Sequence, residues 1–215
     1  MQCELCWKTA GLDFIINFVI KSGMKIYLAS SNIHKKKEIS EILPEYTVLC
    51  PGDMNIEFNP EENGSSFTEN ALIKAKALWE IVNEPVLADD SGICVDALNG
   101  EPGIYSSRYG STPAHKLSQE EQNCLLLEKM KGNPHRNCRF VCAMVLYLEK
   151  DRYYVIQETL EGTLAEKPIG KGGFGYDPLV FLPDLNKTVA QLTEEEKNNI
   201  SHRGKALKIL KKLLA

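Results

Sequence analysis

A chain of 215 residues, 43% hydrophobic and 25% charged, can bury a core of its own and reads as one globular domain, with or without a small lobe. Its net charge of −4 argues against a general nucleic-acid surface, and no run approaches the roughly 18 apolar residues of a membrane-crossing helix. Neither nucleic acid nor a membrane is therefore expected as a partner. The seven cysteines follow no regular spacing. Several sit in apolar runs, as Cys142 does in FVCAMVLYL, which is how reduced core cysteines of a cytoplasmic protein read. Cys3 and Cys6 form a CxxC without the second ligand pair that a zinc site needs.

Residues 1–23 precede a self-contained first strand that opens at Met24, MKIYLASSN. Their apolar stretch FIINFVI is followed by KSGMK, which lacks the small-residue cleavage site of a signal peptide. They read as an N-terminal extension or a misassigned start, with a single domain over 24–215. KIYLAS is an apolar run ending in the polar turn SNIHK. KKKEISEIL then places Ile39, Ile42 and Leu43 on one helical face until Pro44 stops it. YTVLC reads as a second strand. SFTENALIKAKALWEIV is the strongest helix, opened by a Ser66–Glu69 capping box.

PVLAD is the next strand, and it delivers Asp89 and Asp90 to a Ser91-Gly92 turn. ICVDALNG and GEPGIYSSRYG suggest a hairpin and an irregular loop, followed by a helix near 118–131. RFVCAMVLYLEKDRYYVIQETLEGTLAE reads as long antiparallel strands turning near Lys150-Asp151. GKGGFGYDPLVFLP is a Gly-rich loop entering an apolar run. The last helix starts at Ser201 and carries Ala206, Ile209, Leu210, Leu213 and Leu214 on one side. Strands and helices in this order predict an α/β fold built on a long mixed sheet.

Two adjacent carboxylates between apolar runs need compensation, because acidic groups are seldom buried unpaired. Four polar clusters at element ends could supply it. SSNIHK (30–35) offers hydroxyls, an amide and helix-start N–H groups to an anion, with Lys35 beside them. A capped turn with surface lysines would look the same. GGFGYDP (172–178) offers close approach, aromatic rings and the acceptor Asp177, which together suit a nucleobase. KNNISHRGK places Lys197 just before a helix and His202-Arg203 on its first turn, donors that suit carbonyls or phosphates. Glu62, just before the strong helix, can join the aspartates. Mg²⁺ favours few carboxylates plus substrate phosphates, so metal and nucleotide together would explain the buried acids.

LASSNIHKKKEI, FTENALIKAKA, LADDSGICVDALNGEPGIYSSRYG, GGFGYDP and EEKNNISHRGKAL resemble, in order and spacing, the motifs of the inosine triphosphate pyrophosphatase family, the dITP/XTP pyrophosphatases. The resemblance runs from about Met24 to Leu214. It implies an elongated α/β fold with two lobes around a central nucleotide cleft, and a homodimer. It also implies Mg²⁺-dependent cleavage of ITP, dITP and XTP to the monophosphate and pyrophosphate.

By position, the resemblance puts the triphosphate on Ser30, Ser31, Asn32, Ile33, His34 and Lys35. Asp90 would be general base and metal ligand, Glu62 a second metal-linked acid, and Ser91 a substrate neighbour. Phe174, Gly175, Tyr176 and Asp177 would frame base and sugar, and Lys197, His202 and Arg203 would read the purine's carbonyl edge. Lys74 and Arg108 are further candidates for phosphate or base contact. Family members often read Thr-Gly-Asn where this chain has Ser30-Ser31-Asn32, and serine restricts the backbone where glycine would not. The alternatives are a pyrophosphatase of other modified or pyrimidine nucleotides, and a non-catalytic nucleotide sensor.

Overall fold

The computed structural model describes residues 25–214; the reading of residues 1–23 lies outside the described residues. Seven strands form one sheet in the order β2-β1-β3-β4-β5-β6-β7. They are β1 Lys25–Leu28, β2 Thr47–Leu49, β3 Val86–Val95, β4 Asn137–Glu149, β5 Arg152–Leu164, β6 Val180–Leu182 and β7 Lys187–Thr188. The β1–β2 and β1–β3 pairs are parallel and all others antiparallel. The sheet is mixed, as the alternation of helices and hairpins predicts. Among the described residues five α-helices flank it: α1 Ile33–Ile42, α2 Phe67–Val82, α3 Gln119–Lys129, α4 Glu194–Ile200 and α5 His202–Leu214. Among the described residues no helix is long and apolar enough to cross a membrane.

The helix signals act through the expected side chains. Ser66 Oγ accepts from the Glu69 N–H at 3.1 Å, although the Glu69 carboxylate reaches back to Ser65 rather than to Ser66. Ser201 Oγ caps α5 by accepting from the Gly204 N–H at 3.0 Å. The buried face of α5 differs from the expected one: Ile209 is exposed and Leu207 is buried in its place. Arg203, Leu207, Leu210 and Leu214 follow a spacing of three to four residues, and Ile209 falls well off that stripe.

The described cysteines are all free. Cys50, Cys138 and Cys142 are buried, Cys94 is half-buried and Cys124 is exposed.

The core is divided along the long strands. The first half of β4 contributes Cys138 and Phe140 to one hydrophobic cluster, with Leu126 of α3 and Leu179 and Val180. The second half contributes Cys142, Met144 and Leu146 to another, with Ile39 of α1 and Leu207 and Leu210 of α5. Opposite the junction, Asp89, Asp90 and Ser91 of β3 pair with Met144, Ala143 and Cys142. A third cluster joins Ala71, Ala75 and Leu78 of α2 to Val86 and Ala88 of β3 and Val145 of β4.

The Ser91-Gly92 turn is not present. β3 runs unbroken to Val95, and Gly92 serves close packing instead. A Cβ there would stand 2.3 Å from Ser106 Oγ and 2.6 Å from the Gly103 carbonyl oxygen. Ser106 Oγ accepts from the Ile93 N–H at 2.9 Å, which pins the 3₁₀ helix Gly103–Arg108 against the strand.

Candidate active site

A cavity of about 460 Å³ opens beside the acids, within the range of small-molecule sites. Ser30, Ser31 and Asn32 line it from the β1–α1 turn, Lys35 from the first turn of α1, Glu62 from the loop before α2, Lys74 from the middle of α2, and Asp90 and Ser91 from β3. Phe174 to Asp177, Lys197, His202 and Arg203 complete it. The structure thus gathers residues that the sequence separates by as much as 173 positions, from Ser30 to Arg203.

Successive side chains on a strand point to opposite faces, and the two aspartates accordingly meet different partners. Asp89 Oδ2 accepts from Arg203 Nε at 2.9 Å and from the Cys142 thiol at 3.0 Å, and Lys35 forms a further ion pair. Burial pushes the Asp89 carboxyl up, but Arg203 and Lys35 together hold it well below the usual carboxylate range. Asp90 Oδ1 accepts from Lys74 Nζ at 2.9 Å, and the same ammonium stands 3.3 Å from Glu62. Asp90 Oδ2 is buried with no hydrogen-bond partner. Burial raises the Asp90 carboxyl above its ordinary value, more than Lys74 and Lys35 pull it down.

Sequence reasoning missed Glu38. Its carboxylate, buried on α1, is 2.7 Å from Lys197 Nζ and 2.5 Å from Arg203 NH1. Burial opposes its charge, but Arg203 and Lys197 lower its pKa. The run KKKEIS reads locally as a solvated face. One signal was available: Lys35, Glu38, Ile39 and Ile42 share a helical stripe, so Glu38 falls on the apolar side.

Lys197, expected before a helix, lies inside α4. Besides Glu38 it donates to Asp177 Oδ2 at 2.7 Å. Each of its ion pairs uses one N–H, which leaves the third for a ligand. Arg203 is 1% exposed, not a solvated surface residue. It holds Asp89, Glu38 and Ser91 Oγ, and NH1 keeps one N–H beyond those bonds.

His202 is buried and stacks on Phe140, centroids 5.0 Å apart. Burial first, then Arg203, holds its imidazole well below its ordinary pKa, so it is neutral. Its Nδ1 has no partner.

The β1–α1 turn departs from the expected anion cradle. Ser30 Oγ accepts from the Asn32 N–H at 3.1 Å, and Asn32 Oδ1 accepts from those of His34 and Lys35 at 2.9 and 3.2 Å. Those three amides are occupied, so the turn presents its side chains and Lys35 to the cavity. Ser31 is not among the residues with positive φ, so serine fits there without strain. Ile33 is 74% exposed and His34 is exposed, and neither lines the cavity.

The Gly-rich loop is shaped around Asp177. Its Oδ2 accepts from the Phe174 N–H at 2.8 Å, and a Cβ on Gly173 (φ 70°) would stand 2.0 Å from that oxygen. Phe174 remains half-buried at the cavity wall. The Tyr176 ring belongs to a hydrophobic cluster and its hydroxyl donates to the Ser106 carbonyl at 2.9 Å. Arg108 sits in a shallow adjoining pocket with Asn59, Pro60, Glu61 and Glu62.

Five cations, Lys35, Lys74, Lys116, Lys197 and Arg203, line the cavity, and five carboxylates, Glu38, Glu62, Asp89, Asp90 and Asp177, line or brace it. The site is close to charge balance before any ligand enters.

Known proteins resemble the chain along most of its length. The model of the Ham1 family matches residues 26–213. A dITP/XTP pyrophosphatase of Treponema denticola is 56% identical over 184 residues, 86% of this chain and 95% of the relative. Another, from Leptospira interrogans, is 46% identical over 88% of this chain and 96% of the relative. The solved Ham1 protein of Staphylococcus aureus superimposes with a TM-score of 0.79 at 40% identity, covering 88% of this chain and 97% of that one. That of Coxiella burnetii gives 0.81 at 36% identity, covering 89% and 98%. On its sequence and its fold, the chain belongs to the Ham1 family.

Proposed function

We propose that this chain hydrolyses the non-standard purine nucleoside triphosphates ITP, dITP and XTP to monophosphate and pyrophosphate, with Mg²⁺. The relatives named dITP/XTP pyrophosphatases, similar over most of their length, support the substrate class. The observation that carries the chemistry is Asp90, which lines the cavity: one carboxylate oxygen is held by Lys74 and the other is buried and unpartnered.

In this reading Asp90 takes a proton from the water that attacks phosphorus. Burial favours this role, since a base works best with a pKa drawn toward the working pH. Lys35 and the side chains of Ser30, Ser31 and Asn32 receive the phosphates, Ser91 lies beside them, and Lys74 fixes Asp90. Among the described residues no group of three or more His, Cys, Asp or Glu side chains converges to hold an ion. A metal here would rest on Asp90 and Glu62 together with the substrate's phosphates, the pattern that suits Mg²⁺. The near balance of charge in the cleft calls for it, because a triphosphate adds several negative charges. When bound, Mg²⁺ supplies charge neutralisation on the phosphate oxygens and the departing pyrophosphate.

Selectivity follows from the donors left free. Lys197 and Arg203 each keep one N–H, and the neutral His202 ring adds a third donor in the tautomer that carries its proton on Nδ1. A purine with oxygen at position 6 accepts from them, whereas adenine brings a donor to the same place. A site built for a hydrogen bond rejects a ligand that cannot complete it. Phe174, Gly175, Tyr176 and Asp177 form the wall against which base and sugar lie. The working unit in this reading is one domain, residues 24–215, acting as a homodimer in the cytoplasm with its cysteines reduced.

The test is pyrophosphate release with Mg²⁺ and each nucleotide in turn. Fast release from ITP, dITP and XTP with little from ATP or CTP is expected, and loss of release in excess chelator. Equal turnover of ATP and ITP would overturn the purine-carbonyl reading. Binding of ITP without release of pyrophosphate would make the chain a sensor.

A further inference from the structure

His34 does not belong with the phosphate-facing side chains among which the sequence places it. It is exposed, lies outside the cavity lining, and stacks on Phe174 with ring centroids 5.0 Å apart and planes 11° from parallel. Phe174 itself lines the cavity, and Lys197 Nζ lies 4.5 Å from the centroid of its ring. The contact joins two segments 140 positions apart, the first turn of α1 and the Gly-rich loop.

We infer that His34 is a positioning residue for the nucleobase: it backs the Phe174 ring from the solvent side and fixes the plane on which the base stacks. This rests on the proposed reading of Phe174 as part of the base wall. Phe174 needs such support. Glycines with positive φ, Gly173 and Gly175, flank it on both sides, and such positions hold the backbone less firmly than other residues. Its N–H is tied to Asp177, which anchors the backbone but leaves ring rotation open. A parallel ring at stacking distance restricts that rotation, and offset-stacked aromatic pairs stabilise beyond the area they bury.

The His34 backbone is itself fixed, because its N–H is bound by Asn32 Oδ1 on the turn that faces the phosphates. The imidazole thereby ties the orientation of the base wall to the end of the cavity where the cationic turn lies.

The experiment compares His34→Ala and His34→Phe with the unmodified chain, using ITP and, separately, inorganic tripolyphosphate as an inhibitor. Tripolyphosphate carries the phosphates and no base. His34→Ala is expected to raise KM for ITP about threefold to tenfold, the range of a lost aromatic pair, with a smaller change in kcat. The Ki of tripolyphosphate should stay within twofold, and His34→Phe should restore KM. The melting temperature should fall by no more than a few degrees, since the ring is exposed. Equal weakening of ITP and tripolyphosphate would return His34 to the phosphates and overturn the inference. A fall in KM would mean that His34 occupies the base's own place, and would overturn it as well. An unchanged KM, or no rescue by His34→Phe, would do the same. Pyrophosphate release from ITP by the unmodified chain tests the functional reading separately.

Discussion

Arg203 Nε donates to Asp89 Oδ2 across 2.9 Å with both side chains buried, so a C-terminal helix is locked to a central strand by an ion pair 114 positions apart. Glu38 on the first helix and Lys35 beside it extend that pair into a network. Buried pairs of this kind contribute less to net stability than their short distances suggest, because two desolvation penalties offset the attraction. Their effect is geometric: they hold the cavity's cations where a ligand will meet them.

The division between the aspartates gives the first prediction. Asp90→Asn should lower kcat for ITP by about 10²–10⁴-fold, the contribution of a general base, with more lost if the metal also leaves. Its melting temperature should change little, since one oxygen of the carboxylate replaced is buried and unpartnered and Lys74 keeps Glu62 as a countercharge. Asp89→Asn should instead be felt mainly as instability, because Arg203 and Lys35 lose their countercharge. Breaking a buried pair from one side costs about 3–5 kcal/mol. Steady-state kinetics and thermal melts on both variants check this. A folded, inactive Asp89→Asn beside an active Asp90→Asn would reverse the assignment.

His202 gives the second. Its Nδ1 is buried and unpartnered while its ring stacks on Phe140. Replacing it by Phe keeps the stack and removes only the nitrogen's hydrogen bond to a base. KM for ITP should rise about twofold to tenfold, the worth of one neutral hydrogen bond, and the ratio of ITP to ATP turnover should fall. Stability should not fall with it, since no protein hydrogen bond is lost. A substantially lower melting temperature with an unchanged KM would make His202 a packing residue only.

The mixed sheet, the positions of four of the five helices and the two long strands were legible in the sequence, because each rests on local periodicity or capping; α4, which holds Lys197, was not. The identities of most cavity residues were legible through motifs. Their commitments were not. That Arg203 is buried rather than solvated depends on Asp89 and Glu38, and no local pattern around SHRGK reveals either. The Ser91-Gly92 turn failed for a similar reason. A Ser-Gly pair signals a turn by local propensity, but here glycine is needed because Ser106, fourteen residues away, packs against the strand. The face of α5 was misjudged by counting Ile209 for its hydrophobicity, when the stripe is set by the buried Arg203 at its start.

That packing gives the third prediction. Gly92→Ala would force a methyl group against Ser106 Oγ and the Gly103 backbone, and overpacking of this kind costs about 1–3 kcal/mol. Chemical denaturation should show the loss, and because Gly92 also lines the cavity, kcat/KM should fall too. Gly52, whose added Cβ would meet nothing within 4 Å, is the control: Gly52→Ala should leave stability within about 0.5 kcal/mol, as surface changes do. Equal stability of the two variants would remove the packing explanation.

The last prediction concerns acid stability, measured without metal in excess chelator. Asp89 titrates well below its ordinary value in the folded chain, where Arg203 and Lys35 outweigh the effect of burial, and near about 3.9 when unfolded. Glu38 is lowered in the same direction, by Arg203 and Lys197 against burial. For a carboxyl depressed by folding, the unfolded chain binds the proton more readily, so stability rises with pH. The contribution of Asp89 is therefore complete above about pH 4–5 and is lost as pH falls toward the folded value. Unfolding free energy of the unmodified chain should drop steeply across that window. Asp89→Asn, already less stable at pH 7, should show a shallower drop, so the two curves converge as pH falls. Urea titrations from pH 7 to pH 3 measure both. Curves that stay parallel through that range would mean that Asp89 gains nothing from its charge, and that Arg203 holds it by hydrogen bonds alone.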